Sequence, residues 1–151
     1  MRIYIDETGK NTDLDRTHGY APKGERVEGQ THGKRTEKLN IVAAKCADGV
    51  FNEFVYDCTM KSWLFEFWFA TLLEWVDHGH WFILDNATFH REKVLRTMAE
   101  AVGCHVLMLP KYSPDFNPIE NDWANLKTFL RNYGRRFASV QLAVNHYFKS
   151  A

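Results

Sequence analysis

The feature that most constrains this chain is the stretch at residues 109–127, which reads LPKYSPDFNPIENDWANLK. Its three prolines each fix φ and remove a backbone donor, so residues 109–116 are predicted to form a stiff extended loop. A helix is predicted to begin directly afterwards, with Asn117 as its N-cap and Pro118 at its first helical position. The loop therefore delivers Glu120 into the first turn of a helix.

The predicted helix has one apolar face and one polar face. Apolar side chains repeat at helical spacing at Ile119, Trp123, Leu126 and Leu130. Trp123 could instead stack on a nucleic-acid base, but its register with the other three favours a core position. Glu120, Lys127 and Arg131 fall on the polar face.

Glu120 allows two interpretations from the sequence. It lies three residues after Asn117, which is the spacing of a capping box, so it could serve only as a cap. Alternatively it binds a metal together with two carboxylates that follow apolar runs, Asp6 after residues 3–5 and Asp85 after residues 81–84. Because such runs predict buried strands, two carboxylates at strand ends and one at a helix start suit a divalent-metal site.

Length and composition are those of one globular domain covering residues 1–151. Of its residues, 45% are hydrophobic and 25% are charged, and a chain this long buries about 68–70% of its unfolded surface. The 19 basic residues balance the 19 acidic ones, so no global positive field indicates nucleic acid. Three cysteines without C-x-x-C spacing indicate neither a disulfide framework nor a zinc site. Neither a signal peptide nor a membrane span is predicted.

The periodicity predicts an α/β fold with a five-stranded mixed sheet flanked by helices. Strands are predicted at residues 2–6, 39–46, 50–56, 80–85 and 105–109, and helices at residues 61–77, 92–102, 118 onward and 139–149. The first three strands would form an antiparallel meander, and the last two a right-handed parallel unit around the helix at 92–102.

Two segments and one single residue carry further expectations. Residues 8–38 are predicted to be a long loop whose basic side chains could contact phosphates. Glu7 is predicted to point away from Asp6, because side chains alternate along a strand, and to be a solvent-facing or supporting carboxylate. The helix at 61–77 is apolar around nearly its whole circumference, so besides the core it could bury a second face against another subunit or a separate DNA-binding domain.

Several motifs together resemble a known family. They are IDETG at residues 5–9, YAPKGERV at 20–27, ILDNATFHR at 83–91 and the stretch at 109–127, with 34 residues between Asp85 and Glu120. This combination resembles the mariner-type DDE transposases, including their bacterial insertion-sequence relatives, whose catalytic domain has a ribonuclease-H-like fold. The resemblance implies a DNA endonuclease and strand transferase that cleaves transposon ends and joins the freed 3′-hydroxyl to target DNA.

The resemblance also implies the site. Asp6, Asp85 and Glu120 would be catalytic and would hold Mg²⁺ or Mn²⁺, with two ions expected from the chemistry of phosphodiester cleavage. Asp6 would bridge both ions, Asp85 would hold the first and Glu120 the second. Residues expected to touch DNA or to orient the site are Asn86, His90, Arg91, Lys111, Tyr112, Lys127 and Arg131. His90 as a metal ligand is a weaker alternative, because the histidines show no paired ligand spacing.

The family normally carries an N-terminal helix-turn-helix region, and nothing of that kind precedes Asp6 in this sequence. The expectation is therefore a catalytic domain by itself, with DNA as its partner, in the cytoplasm and at the nucleoid of a bacterium or archaeon. Two rival interpretations stay open. The chain could be another ribonuclease-H-like nuclease, or a non-catalytic relic that only binds nucleic acid.

Overall fold

A computed structural model describes residues 1–11, 38–110 and 117–150. Several predicted features lie outside the described residues. They are the YAPKGERV motif, most of the predicted long loop, residues 111–116 of the predicted stiff loop at 109–116, and two of the DNA-contact candidates, Lys111 and Tyr112.

The sheet has five strands in the order β3-β2-β1-β4-β5. They are β1 (Arg2–Asn11), β2 (Lys38–Cys46), β3 (Gly49–Tyr56), β4 (Trp81–Leu84) and β5 (His105–Met108). The pairs β1–β2 and β2–β3 are antiparallel, whereas β1–β4 and β4–β5 are parallel. The predicted meander followed by parallel strands is confirmed.

Among the described residues, four α-helices flank the sheet: α1 (Ser62–Leu73), α2 (Glu92–Ala101), α3 (Ile119–Tyr133) and α4 (Val140–Ser150). The side chains of β2 alternate between the two sheet faces. Val42 and Ala44 belong to a core with buried residues of α1 and α2, whereas Ile41 and Ala43 belong to a second core with α3 and α4. The sheet is thus the middle of three layers, with a core on each side.

Strand β1 is longer than the sequence indicated. It was predicted to end at Asp6, but its antiparallel pairing with β2 continues to the pair Asn11 and Lys38. That pairing satisfies the backbone beyond Asp6 even though the hydrophobic run has ended. A Cβ at position 9 would lie 2.8 Å from Asn40 Oδ1, so Gly9 leaves room for the Asn40 side chain, which donates to the Cys58 carbonyl oxygen at 2.9 Å.

Helix α1 buries the predicted stripe but is shorter than predicted. Trp75 was expected on the buried stripe, yet the helix ends at Leu73 and Trp75 is 77% exposed. On the outer face of the helix, Trp63 and Phe67 are 64% and 65% exposed, one turn apart. A partner on this face stays a prediction. Within the described ranges, no helix is long and apolar enough to cross a bilayer.

Candidate active site

Asp6 and Asp85 stand side by side where the parallel pairing of β1 and β4 ends. Tyr4 pairs with Ile83 in the last registered pair of these strands. Extending the register by two residues sets Asp6 level with Asp85, just past the end of β4. Strands β1 and β4 are neighbours, and adjacent strands lie about 4.7–4.9 Å apart. The two aspartates predicted from separate motifs are therefore brought together by the fold.

Asp85 is supported by His90, five residues further along the chain. His90 Nδ1 lies 3.0 Å from the Asp85 carbonyl oxygen and 3.2 Å from Asp85 Oδ1. The backbone N–H of Ala87 also donates to Asp85 Oδ1, at 3.3 Å. The hydrogen bond from His90 holds the pKa of the Asp85 carboxyl below its usual value. The Asp85 side chain is 57% exposed, so it presents a stable negative charge to the solvent side of the site.

Asp6 is held differently, by an indole group. The Nε1 atom of Trp123 donates a hydrogen bond to Asp6 Oδ2 at 3.0 Å. The pKa of Asp6 is raised to about 6, mainly by burial; the nearby charges of Glu120 and Asp85 act in the same direction, and its hydrogen bonds act against them. Like charges within a few ångströms of each other disfavour ionisation. The three carboxylates therefore share one electrostatic environment.

Glu120 lies exposed in the first turn of α3. The helix begins one residue later than predicted: Pro118, not Asn117, is the N-cap, and among the described residues no side chain caps this end. Asn117 is buried instead, and its Oδ1 lacks a hydrogen-bond partner in the described part of the chain. The capping-box interpretation of Glu120 is not supported within the described residues, because the N-cap is Pro118 and no side-chain hydrogen bond caps this end of α3.

The donor chemistry of the trio fits a hard cation, since all three residues offer carboxylate oxygens. Within residues 1–11, 38–110 and 117–150, no group of three His, Cys, Asp or Glu side chains is arranged to hold one ion. A two-ion site does not require such a group, because each ion needs only two of the three carboxylates and takes waters for the rest.

The candidate DNA-contact residues divide into exposed and buried ones. Asn86, Arg91, Lys127 and Arg131 are exposed, whereas His90 is only 9% exposed. Its burial against Phe65 and Phe89 and its bonds to Asp85 favour orientation of the site over contact with DNA. The guanidinium of Arg91 is engaged by both carboxylate oxygens of Glu66, at 2.7 and 2.5 Å.

Two contributions were not anticipated from the sequence. Trp123 was assigned to the core, which is confirmed by its 1% exposure, but its bond to Asp6 was missed. A buried tryptophan needs an acceptor for its N–H, and this requirement was the available signal. Glu7 does point to the opposite face from Asp6, yet it is half-buried: Tyr56 donates to Glu7 Oε2 at 2.9 Å, and burial raises the pKa of Glu7 to about 7.

A family comparison decides the class of this chain. The sequence profile of the DDE superfamily endonucleases matches residues 1–142. The chain belongs to the DDE superfamily endonucleases. The predicted DDE-type endonuclease domain is thereby confirmed. A comparison with curated proteins finds no match.

Solved structures of related fold support the same architecture. The pre-cleavage Mos1 transpososome has a TM-score of 0.74 at 19% identity, covering 99% of this chain and 47% of that one. The Mos1 mariner paired-end complex with Mn has a TM-score of 0.71 at 18% identity, with coverages of 99% and 47%. The catalytic core of BIV integrase has a TM-score of 0.59 at 13% identity, with coverages of 95% and 78%. The chain spans less than half the length of the Mos1 chains, and the ribonuclease-H-like fold is confirmed.

Proposed function

We propose that this DDE endonuclease domain is the catalytic domain of a transposase that cleaves phosphodiesters at transposon ends and joins the freed 3′-hydroxyl to target DNA. The observation that carries the proposal is the register of β1 and β4, which sets Asp6 level with Asp85, with the charge of Glu120 close enough to affect Asp6. The family membership and the likeness to DNA-bound Mos1 assemblies support DNA as the substrate.

Asp6, Asp85 and Glu120 would hold two divalent cations, Mg²⁺ or Mn²⁺, with Asp6 shared between them. Hard cations in such a site stabilise the charge on the attacking and leaving oxygens of the phosphodiester. A structure of the Mos1 mariner complex contains Mn, which supports a divalent cation for this chain too. The charges of both Glu120 and Asp85 raise the pKa of Asp6, and this proximity to both supports the role of Asp6 as the shared carboxylate.

Neighbouring side chains hold the carboxylates in place without a bound metal or DNA. His90 keeps Asp85 ionised and oriented, and its own ring is fixed between Phe65 and Phe89, with centroid distances of 4.2 and 4.5 Å. The exposed Arg131 lies eleven residues after Glu120 on the same face of α3, a spacing that would lead a DNA backbone away from the carboxylates. An open cleft of about 640 Å³ lies on the Glu7 side of the site, and Lys61 and Thr88 help to line it.

The decisive experiment is metal-dependent nicking of a supercoiled plasmid and of duplexes bearing the element's ends. We expect Mg²⁺ or Mn²⁺ to be required, and Asp6→Asn, Asp85→Asn and Glu120→Gln each to abolish nicking. Asp48→Asn is the matched control, because this carboxylate is exposed in the turn between β2 and β3. Wild-type nicking by the Asp85 variant would overturn the proposal.

A crystal soaked in MnCl₂ with a short duplex provides a second readout. Two anomalous peaks within about 2.5 Å of oxygens of the trio are expected. Products mapped on DNA, RNA–DNA hybrid and branched substrates separate a transposase from another ribonuclease-H-like nuclease. Nucleic-acid binding that is unchanged by metal and never leads to cleavage would favour the non-catalytic relic.

A further inference from the structure

The hydrogen bond between Trp123 and Asp6 links α3, which carries Glu120, to β1, which carries Asp6. Trp123 lies on α3, three residues after Glu120, and Asp6 lies on the central strand β1. The indole N–H is a donor only, and it ends on Asp6 Oδ2 at 3.0 Å. One oxygen of the Asp6 carboxylate is therefore held by a group that can only donate a hydrogen bond.

The ring of Trp123 has little freedom to move away from this bond. It is 1% exposed and packs in the core formed by Ile41, Ala43, Ile119 and Leu126, among others. Ala43 is the residue that pairs with Asp6 across β1 and β2. The small side chain of Ala43 thus lies beside the carboxylate, on the sheet face where the indole packs.

A second contact anchors the same turn of α3 to the sheet. Asp122, the neighbour of Trp123, forms an ion pair with Lys45 of β2, and both side chains are partly buried. Lys45 pairs with Tyr4, two residues before Asp6. The turn that holds Trp123 is therefore fixed to the sheet both by the apolar packing of Trp123 and by the ion pair of Asp122.

We propose that Trp123 is a positioning residue for the Asp6 carboxylate. Its N–H sets the rotamer of Asp6, so that the lone pairs left free point to the space shared with Asp85 and Glu120. Because the same helix carries Glu120, the bond also sets the distance between the shared carboxylate and the third one. This inference rests on the proposed function and adds to it a residue outside the carboxylate trio.

The chain offers a matched control in a second buried tryptophan. Trp68 is 3% exposed, and its Nε1 donates to the Asn52 carbonyl oxygen at 2.9 Å, within the core on the opposite side of the sheet. Trp68→Phe and Trp123→Phe each remove one indole bond and a comparable volume. Only the second of these bonds ends on a carboxylate of the trio.

The test is Mn²⁺ binding, measured by calorimetry and by the electron paramagnetic resonance of the ion, which reports binding without activity. Loss of a hydrogen bond that orients a ligand typically weakens metal binding about 10–100-fold, so we expect a weakening of that size for Trp123→Phe. Trp68→Phe is expected to bind Mn²⁺ like the wild type, although it also unfolds more easily. Equal weakening in the two variants would overturn the proposal, because the effect would then follow stability.

A single-atom variant keeps the proposal testable if Trp123→Phe does not fold. Cys104 is a native cysteine that follows Gly103, so residues 104–151 can be made as a peptide and joined by native chemical ligation. Benzothienylalanine at position 123 keeps the bicyclic shape but replaces N–H with sulfur. The ligated wild-type sequence is the control.

The outcomes also separate this inference from the function beneath it. Weaker Mn²⁺ binding by the benzothienyl protein, with an unchanged melting temperature, supports the proposal. Unchanged Mn²⁺ binding by that protein, when Asp6→Asn abolishes binding, overturns the role of Trp123 and leaves the metal site standing. A wild-type protein that does not bind Mn²⁺ overturns both.

Discussion

Asp6 lies on β1 and Asp85 lies just past the end of the neighbouring parallel strand β4, yet the pKa values of the two carboxyls shift in opposite directions. Burial and the charges of Glu120 and Asp85 raise the pKa of Asp6 to about 6. The hydrogen bond from His90 lowers the pKa of Asp85. In the metal-free protein, the negative charge of Asp6 therefore destabilises the fold, whereas the negative charge of Asp85 stabilises it.

This difference predicts opposite effects of neutralising the two aspartates. A carboxyl whose pKa is higher in the folded than in the unfolded state stabilises the fold at a pH below its unfolded-state pKa, which is near 4 here. That stabilisation is lost as the pH rises through the folded-state pKa of about 6. Asp6→Asn should therefore raise the unfolding free energy at pH 8, on the order of 2–3 kcal/mol, and change it little at pH 4. Urea unfolding in EDTA measures this effect.

Asp85→Asn serves as the paired comparison under the same conditions. A carboxyl whose pKa is lower in the folded than in the unfolded state stabilises the fold at a pH above its unfolded-state pKa. That stabilisation is lost as the pH falls through the folded-state pKa. This variant should therefore be less stable than the wild type at pH 8 and similar to it at low pH. Stabilisation of the Asp85 variant at pH 8 would contradict the assigned role of His90.

Divalent cations should stabilise the protein by relieving the repulsion around Asp6. A ligand that binds only the folded state, at 100 times its dissociation constant, adds about 2.7 kcal/mol. We expect Mg²⁺ or Mn²⁺ to raise the melting temperature of the wild type and of Asp48→Asn, but not of Asp6→Asn. Equal shifts in all three proteins, measured by calorimetry, would place the metal elsewhere.

The ion pair between Lys45 and Asp122 should contribute measurably to the docking of α3. The two side chains are 23% and 25% exposed, so solvent screens them less than a surface pair. A double-mutant cycle with Lys45→Met and Asp122→Asn should give a coupling energy of about 1 kcal/mol. The exposed pair of Arg96 and Glu92 on α2 is the control, for which the expected coupling is about 0.3–0.5 kcal/mol.

If α3 tracks a DNA backbone, Arg131 should contribute to the salt dependence of binding. Each phosphate contact adds about 0.9 to the slope of log K against log salt. Arg131→Gln should reduce that slope by about this amount on any duplex sequence, as measured by fluorescence anisotropy. Lys149→Gln, in the last turn of α4, should leave it unchanged; an equal loss in both variants would indicate only a general charge effect.

The sequence by itself predicted the strands and helices and pointed to the three carboxylates of the proposed site. Apolar runs marked the strands, helical spacing marked the buried face of α3, and the motifs around Asp6, Asp85 and Glu120 identified the family. Local patterns could do this because hydrophobic periodicity and motif spacing are properties of short segments. The length of β1 and the end of α1 were misjudged for the same reason, since both depend on pairing and packing with distant residues.

Only the tertiary structure decided how the site is held together. Asp6 and Asp85 become neighbours through the register of β1 and β4, and Trp123 reaches Asp6 across 117 positions of the sequence. The opposite pKa shifts of the two aspartates arise from burial and from the partners that the fold supplies. Such effects depend on distances in space, and a linear pattern of residue types does not contain those distances.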